Sequence, residues 1–242
     1  MSVWSYLTTA ASYQGEDGIV HRLWEHVWIS ALAVLVACLI ALPVGILLGH
    51  IGRGGGIAVG LANAGRAIPT LGIIILFAVS PLGLNTKTLI ATLVIFAVPP
   101  ILANAYVGVS TVDVDAKESA RGMGFSGWQV LRRVEVPLAL PLMAAGVRTS
   151  GVQVVATATL AGYTGYGTLG QIIFRGFILN SSTLILAGAI LVAVLAVLTE
   201  LLLAGLQRLV TPAGLRAGGR RQVRDASTLG RPTGEVAATA SG

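Results

Sequence analysis

Residues 28–49, WISALAVLVACLIALPVGILLG, run for 22 positions without a charge. As a helix they would extend about 33 Å, enough to cross the ~30 Å hydrocarbon core of a bilayer. The run is too long for the apolar region of a secretory signal, and no basic segment precedes it. The remainder of the chain has the same character. Only 11% of the 242 residues are charged and 55% are hydrophobic, whereas a soluble globular domain carries about 25% charged residues. Lipid is therefore the expected solvent for most of this chain. Cys38 stands alone inside the run, so it offers neither an internal disulfide nor a metal cluster and reads as a small buried hydrophobe.

Working outward, four more apolar stretches have spanning length: 57–80, 89–110, 136–160 and 183–206. The expectation is an all-α membrane protein with about five spans. Pro69 should kink the second span, and Pro99-Pro100 interrupts the third, where neighbouring helices must satisfy the freed carbonyls. Residues 1–27 hold Trp4, Tyr6 and Trp24 among acidic side chains and read as a segment at one membrane face. Residues 28–210 form the transmembrane domain. Residues 211–242 are Gly, Ala, Ser, Thr, Pro and Arg with few large apolar side chains, and are expected to be a disordered, basic cytoplasmic tail. Arg53, Lys117, Arg121, Arg132, Arg133, Arg208 and the tail arginines fall on one side, and only Arg22, Lys87 and Arg175 on the other. This cation asymmetry predicts an N-out, C-in chain. The formal charge of +6 follows from that asymmetry and is not the footprint of a nucleic-acid partner.

Several local patterns resemble chemical motifs and fail in context. Gly122-Met-Gly124-Phe-Ser-Gly127 spells GxGxxG, but no strand precedes it and an apolar span lies where the ribose-binding acid should be. Ser126 in a GxSG setting is not matched by a His in a span that could reach it. Thr164-Gly-Tyr166-Gly167 lacks one residue of a potassium-channel filter, which leaves an ion channel as a weak alternative. Neither Lys is preceded by Gly, so there is no phosphate-binding P-loop. No cofactor is expected on this chain, and it is not expected to be an enzyme.

The informative loop lies between the third and fourth apolar stretches, at 111–137. It reads Glu118-Ser119-Ala120, three residues, Gly124, nine residues, then Val134-x-Val136-Pro137. Small side chains at Ser119 and Ala120 would let another protein approach the backbone closely, at the start of a short helix. Gly124 permits a turn closed to other residues, and Pro137 suits the first turn of the next span. Charges in the loop balance, with four cations and four acids over 111–136.

This pattern resembles the EAA motif of bacterial ABC importer permeases, with Ser for one Ala and two Val for Ile and Leu. The resemblance extends over roughly residues 28–207 and narrows to osmoprotectant permeases. Arg132-Arg-Val-Glu-Val-Pro-Leu-Ala-Leu-Pro141, Gly146-Val-Arg-Thr149, Ala158-Thr-Leu-Ala-Gly162, Gly165–Gly170 and Arg66-Ala-Ile-Pro-Thr-Leu71 are the similar runs. It implies a permease subunit in the bacterial inner membrane, carrying glycine betaine, choline, carnitine or proline-type solutes. It implies a coupling helix at Glu118–Gly124 that docks on a separate ATPase chain, which uses ATP and Mg, with Val134, Val136 and Pro137 completing the motif. It also implies a second permease subunit, identical or paralogous, and an external substrate-binding protein. An ABC permease for another small solute, such as an amino acid, would share the loop. Tyr163, Thr164 and Tyr166 depart from the family pattern at the expected outer mouth.

Ionisable residues within spans are functional candidates. Arg66, Arg148 and Glu200 each fall about 15 Å from the inner face by helical rise. One expectation is that Glu200 neutralises one of the two arginines in the pathway; the other is that the cations snorkel to the interface. Tyr163 and Tyr166, with Phe174 and Phe177, are candidates for cation–π contact with a solute cation at the outer end, or for interfacial anchoring.

Overall fold

A computed structural model describes residues 2–56, 60, 69–81, 83 and 85–211. Every regular element among them is helical. A short helix α1 (Val3–Thr8) and a 3₁₀ turn (Ala10–Tyr13) precede α2 (Ile19–Ile51). Then follow α3 (Thr70–Val79), α4 (Thr86–Ser110), α5 (Val114–Gly122), α6 (Gly127–Val130), a π-helical turn (Leu131–Glu135) and α7 (Val136–Ala158). A 3₁₀ turn (Thr159–Thr164), α8 (Gly170–Ile178) and α9 (Ser182–Val210) complete the order. Four helical stretches are long and apolar enough to cross a membrane: Ile19–Ile51, Thr86–Ser110, Gly127–Thr164 and Ser182–Val210. Of the expected second span, α3 is the main described part, with Pro69 at its N-cap. Arg66 lies outside the described residues, as does the expected tail beyond Thr211.

The first long helix starts earlier than its apolar run suggests. It begins at Ile19, so residues 19–27, read from sequence as part of an interfacial segment, continue the spanning helix. Its 33 residues extend about 50 Å. His26 makes this possible: it is fully buried, and its Nε2–H donates to the Val155 carbonyl of α7 at 2.9 Å.

Packing of α2 on α4 follows a stripe of small residues every fourth position: Ala33, Ala37, Ala41, Gly45 and Gly49, all buried. With no apolar driving force between helices in lipid, close backbone approach and dispersion hold them together. A Cβ on Gly45 would lie 2.7 Å from Ala105 Cβ and 2.8 Å from the Leu102 carbonyl oxygen, so no larger residue fits there. Helix α4 is the central element, packed between α2 and α7. Beside its Pro99-Pro100 break, Ser150 Oγ on α7 donates to the Ala97 carbonyl at 2.7 Å. Asn104 Nδ2 donates to Pro100 O at 2.8 Å, so polar side chains supply donors near the break, as a proline pair in a span requires.

Helix α9 packs on α7 and α8 and buries only Ala187, Gly188 and Leu195 among its 29 residues. Leu186, Ile190, Val194, Leu198, Leu201 and Leu202 face outward. That is the surface of a helix solvated by lipid or by a second subunit.

Candidate functional site

The loop between α4 and α7 is a folded unit. Asp113 caps α5, its Oδ1 accepting from Asp115 N–H at 2.8 Å. This cap places Glu118, Ser119 and Ala120 in the second half of the helix, a correction to the expectation that they open it. Glu118 and Ser119 are exposed, whereas Ala120 is the one buried residue of α5. Gly124 reverses the chain with φ +85°, a conformation that only glycine adopts without strain. Ser126 then begins α6 with a capping box: its Oγ accepts from Gln129 N–H, and Gln129 Oε1 accepts from Ser126 N–H. Glu118, Ser119, Arg121, Met123 and Trp128 form an exposed face that mixes charge with large apolar side chains, the composition of a docking patch.

Pro137 stands in the first turn of α7, as expected from the sequence. The helical path also extends back through the π turn to Gly127. Val136 N–H bonds to Leu131 O across that wider turn, and Pro137 follows with no N–H to place. Val134, Val136 and Pro137 are half-buried, and Val136 packs with Leu131, Ala139 and Met143 against Leu42 and Ile46 of α2.

Glu135, at the end of the π turn, was not singled out in the sequence. Its side chain is 2% exposed. His50 Nδ1–H donates to its Oε2 at 2.5 Å, and Lys117 Nζ lies 3.8 Å from its Oε1. His50 also lies near the GxSG turn: a Cβ on Gly127 would sit 3.8 Å from its Nε2. Ser126 Oγ caps α6, and His50 Nδ1 donates to Glu135.

Midway along the bundle, Arg148 of α7 meets Glu200 of α9. Arg148 Nε donates to Glu200 Oε1 at 2.8 Å and Nη2 donates to the same oxygen. Nη1 donates to Gln207 Oε1 at 3.2 Å, and Gln207 Nε2 donates to Pro141 O at 3.2 Å. An apolar hollow of about 290 Å³, walled by Leu42, Met143, Val147 and Leu203, lies beside the pair.

At the opposite end, a cavity of about 630 Å³ opens between α1, α8 and the 3₁₀ turn. Tyr163 and Phe174 meet edge to face with ring centroids 5.3 Å apart, and Phe177 lies 6.2 Å from Phe174. Across from the rings, Asp17 Oδ1 accepts from Arg22 Nη2 at 2.5 Å, and Asp17 Oδ2 lies 3.6 Å from Arg175 Nη1. Tyr6 lines the same cavity, and burial pushes its phenol pKa up. Tyr166 is separated from Tyr163. The turn at Gly165 sends it to the α2–α4 core and to a second, acidic hollow with Glu16 and Glu25.

Buried small-residue seams, an exposed loop helix and an ion pair between two long apolar helices are those of a membrane-embedded subunit. Residues 41–212 match the family described as "Binding-protein-dependent transport system inner membrane component", and the chain belongs to that family. It is 37% identical over 198 residues to the glycine betaine/carnitine/choline transport system permease protein OpuCB of Bacillus subtilis (strain 168), covering 82% of this chain and 91% of that protein. To the carnitine transport permease protein OpuCB of Listeria monocytogenes it is 40% identical over 195 residues, covering 81% and 89%. The fold is also that of the inward-facing MetNI methionine ABC transporter, with TM-score 0.69 at 24% identity over 80% of this chain and 96% of that one.

Proposed function

We propose that this chain is the membrane-spanning permease subunit of an ATP-driven importer for osmoprotectants of the quaternary-ammonium type: glycine betaine, carnitine or choline. The observation that carries the reading is 36–40% identity to permeases named for these solutes, sustained over about nine-tenths of their length. The geometry is consistent in detail. Glu118, Ser119, Arg121 and Met123, with Trp128, form the exposed patch on which a separate ATPase chain docks, and that chain supplies the ATP and Mg chemistry. A second permease subunit completes the pathway, and a binding protein delivers solute at the N-terminal, outer side of the bacterial inner membrane.

A quaternary ammonium has no hydrogen-bond donor, so ring faces and diffuse negative charge are what can hold it. The cavity beside Tyr163, Phe174 and Phe177 supplies the rings, while its Asp17 carboxylate is paired with Arg22 and Arg175. The negative charge comes from the neighbouring hollow that Tyr166 lines, where Glu16, Asp17 and Glu25 outnumber Arg22. These groups guide the cation inward, toward the Arg148–Glu200 level of the bundle. Neighbours named for methionine and other amino acids share the fold at 16–24% identity, which speaks to architecture and not to solute.

Uptake of labelled glycine betaine, choline, carnitine and proline, with the whole importer expressed in a host lacking its own osmolyte transporters, tests the reading. At least one of the first three should accumulate well above background, with the other two competing. Accumulation of an amino acid alone would replace the solute assignment.

A further inference from the structure

We infer that Glu135 is a positioning residue for transport, the link through which movement of the coupling helix α5 reaches the first long helix α2. The inference rests on the proposal that α5 docks on an ATPase. Its basis is the placement of a single carboxylate. Glu135 is as buried as any core leucine, with 1% of its surface exposed. A carboxylate so placed carries a large desolvation cost unless cations and hydrogen-bond donors meet it. The two oxygens find one partner each, and the partners come from different elements. His50 is the penultimate residue of α2, and Lys117 sits one residue before Glu118 on α5. Three helices therefore meet at this carboxylate.

Little else holds α5 in place. Ala120 is its one buried residue, and it packs mainly on α6 and the π turn. Apolar contact from a single Ala is a weak anchor. The ion pair from Lys117 adds a second attachment, and the His50 bond extends it to α2. The π turn contributes geometry: Leu131 and Glu135 face inward while Arg132 and Arg133 stay exposed, with Arg133 stacked on Phe125 at 5.5 Å. A push on Glu118 from below is transmitted one residue away into Lys117, then to Glu135 and His50. Interactions of this kind act as one unit, so removing either end should cost about the same as removing both.

The test uses the full importer in lipid vesicles and reads two quantities together: ATP hydrolysed and glycine betaine taken up, with choline or carnitine in its place if wild type prefers it. Glu135→Gln keeps the size of the side chain and removes its charge. It should retain the ATPase in co-purification while uptake per ATP falls about tenfold, the scale of one lost charged hydrogen bond. Lys117→Met should lower the ratio similarly, and the double variant should be no worse than either single one. An unchanged ratio in both singles, or fully additive losses in the double, overturns the inference. Should Glu135→Gln fail to insert, His50→Gln and Lys117→Met carry the same comparison from the other two corners. Loss of the ATPase from wild type itself would instead strike the proposed function, so the two failures are distinguishable.

Discussion

Glu118→Arg is expected to abolish ATPase co-purification and reduce solute uptake about a hundredfold, the scale of a charge reversal at a docked interface. Glu118 is exposed on α5, and its side chain makes no hydrogen bond or ion pair among the described residues. The substitution therefore removes nothing that holds this chain together, and the amount inserted in the membrane should match wild type. It does place a fifth cation in a loop whose charges otherwise balance, beside exposed Arg121. A partner surface suited to the native carboxylate would face a guanidinium instead, and like-charge contact opposes docking. Pull-down of the ATPase with wild type and variant, normalised to membrane-inserted permease, is the measurement. Equal recovery would mean that the exposed face of α5 is not where the ATPase binds.

The second large effect is expected at Arg148 and Glu200. Each side chain retains about a third of its surface in the isolated subunit, 36% and 39%, and both lie on helical stretches long and apolar enough to cross a membrane. A lone charge there is costly. Glu200→Gln leaves the guanidinium beside the apolar hollow with neutral amides but no carboxylate to receive it. Uptake should fall at least about tenfold, and Arg148→Met should do the same by stranding the carboxylate. Exchange of the two charges, Arg148→Glu with Glu200→Arg, should recover a clear fraction of uptake, because the pair rather than either sign is what the site needs. The neutral double, Arg148→Met with Glu200→Gln, separates structure from transport. Insertion should return, since an apolar replacement of a buried pair is often tolerated, and uptake should stay low if the pair lies on the pathway. Failure of the exchange to rescue, alongside normal uptake by the neutral double, would reduce the pair to a dispensable contact.

The two ends of this pair were placed at one depth by counting helical rise from the chain's inner loops, because both lie on uninterrupted helices. The coupling loop was legible for another reason: its pattern is one of fixed spacings, and fixed spacings survive in a linear reading. Its position within α5 was misread although Asp113, the cap that decides it, was in plain view two residues before Asp115. The start of α2 was hidden by His21, Arg22, Glu25 and His26, which break the apolar run; His26 is tolerated only because α7 offers the Val155 carbonyl. The small-residue stripe from Ala33 to Gly49 was readable at a spacing of four and marks the seam with α4. Glu135 was not readable. Its burial depends on three helices meeting, and its two partners lie 85 and 18 positions away in the chain. Tyr163 and Tyr166 appeared as a pair in sequence, and a left-handed Gly165 with φ +84° turns them to different surroundings.

ATP-dependent accumulation in lipid vesicles that hold this permease with its ATPase and binding protein tests the central claim most directly. With ATP inside the compartment that holds the ATPase, labelled glycine betaine, carnitine or choline should concentrate against its gradient, and without ATP it should not. Flux that equilibrates the solute equally well with or without ATP would contradict the account and return the chain to the class of passive channels.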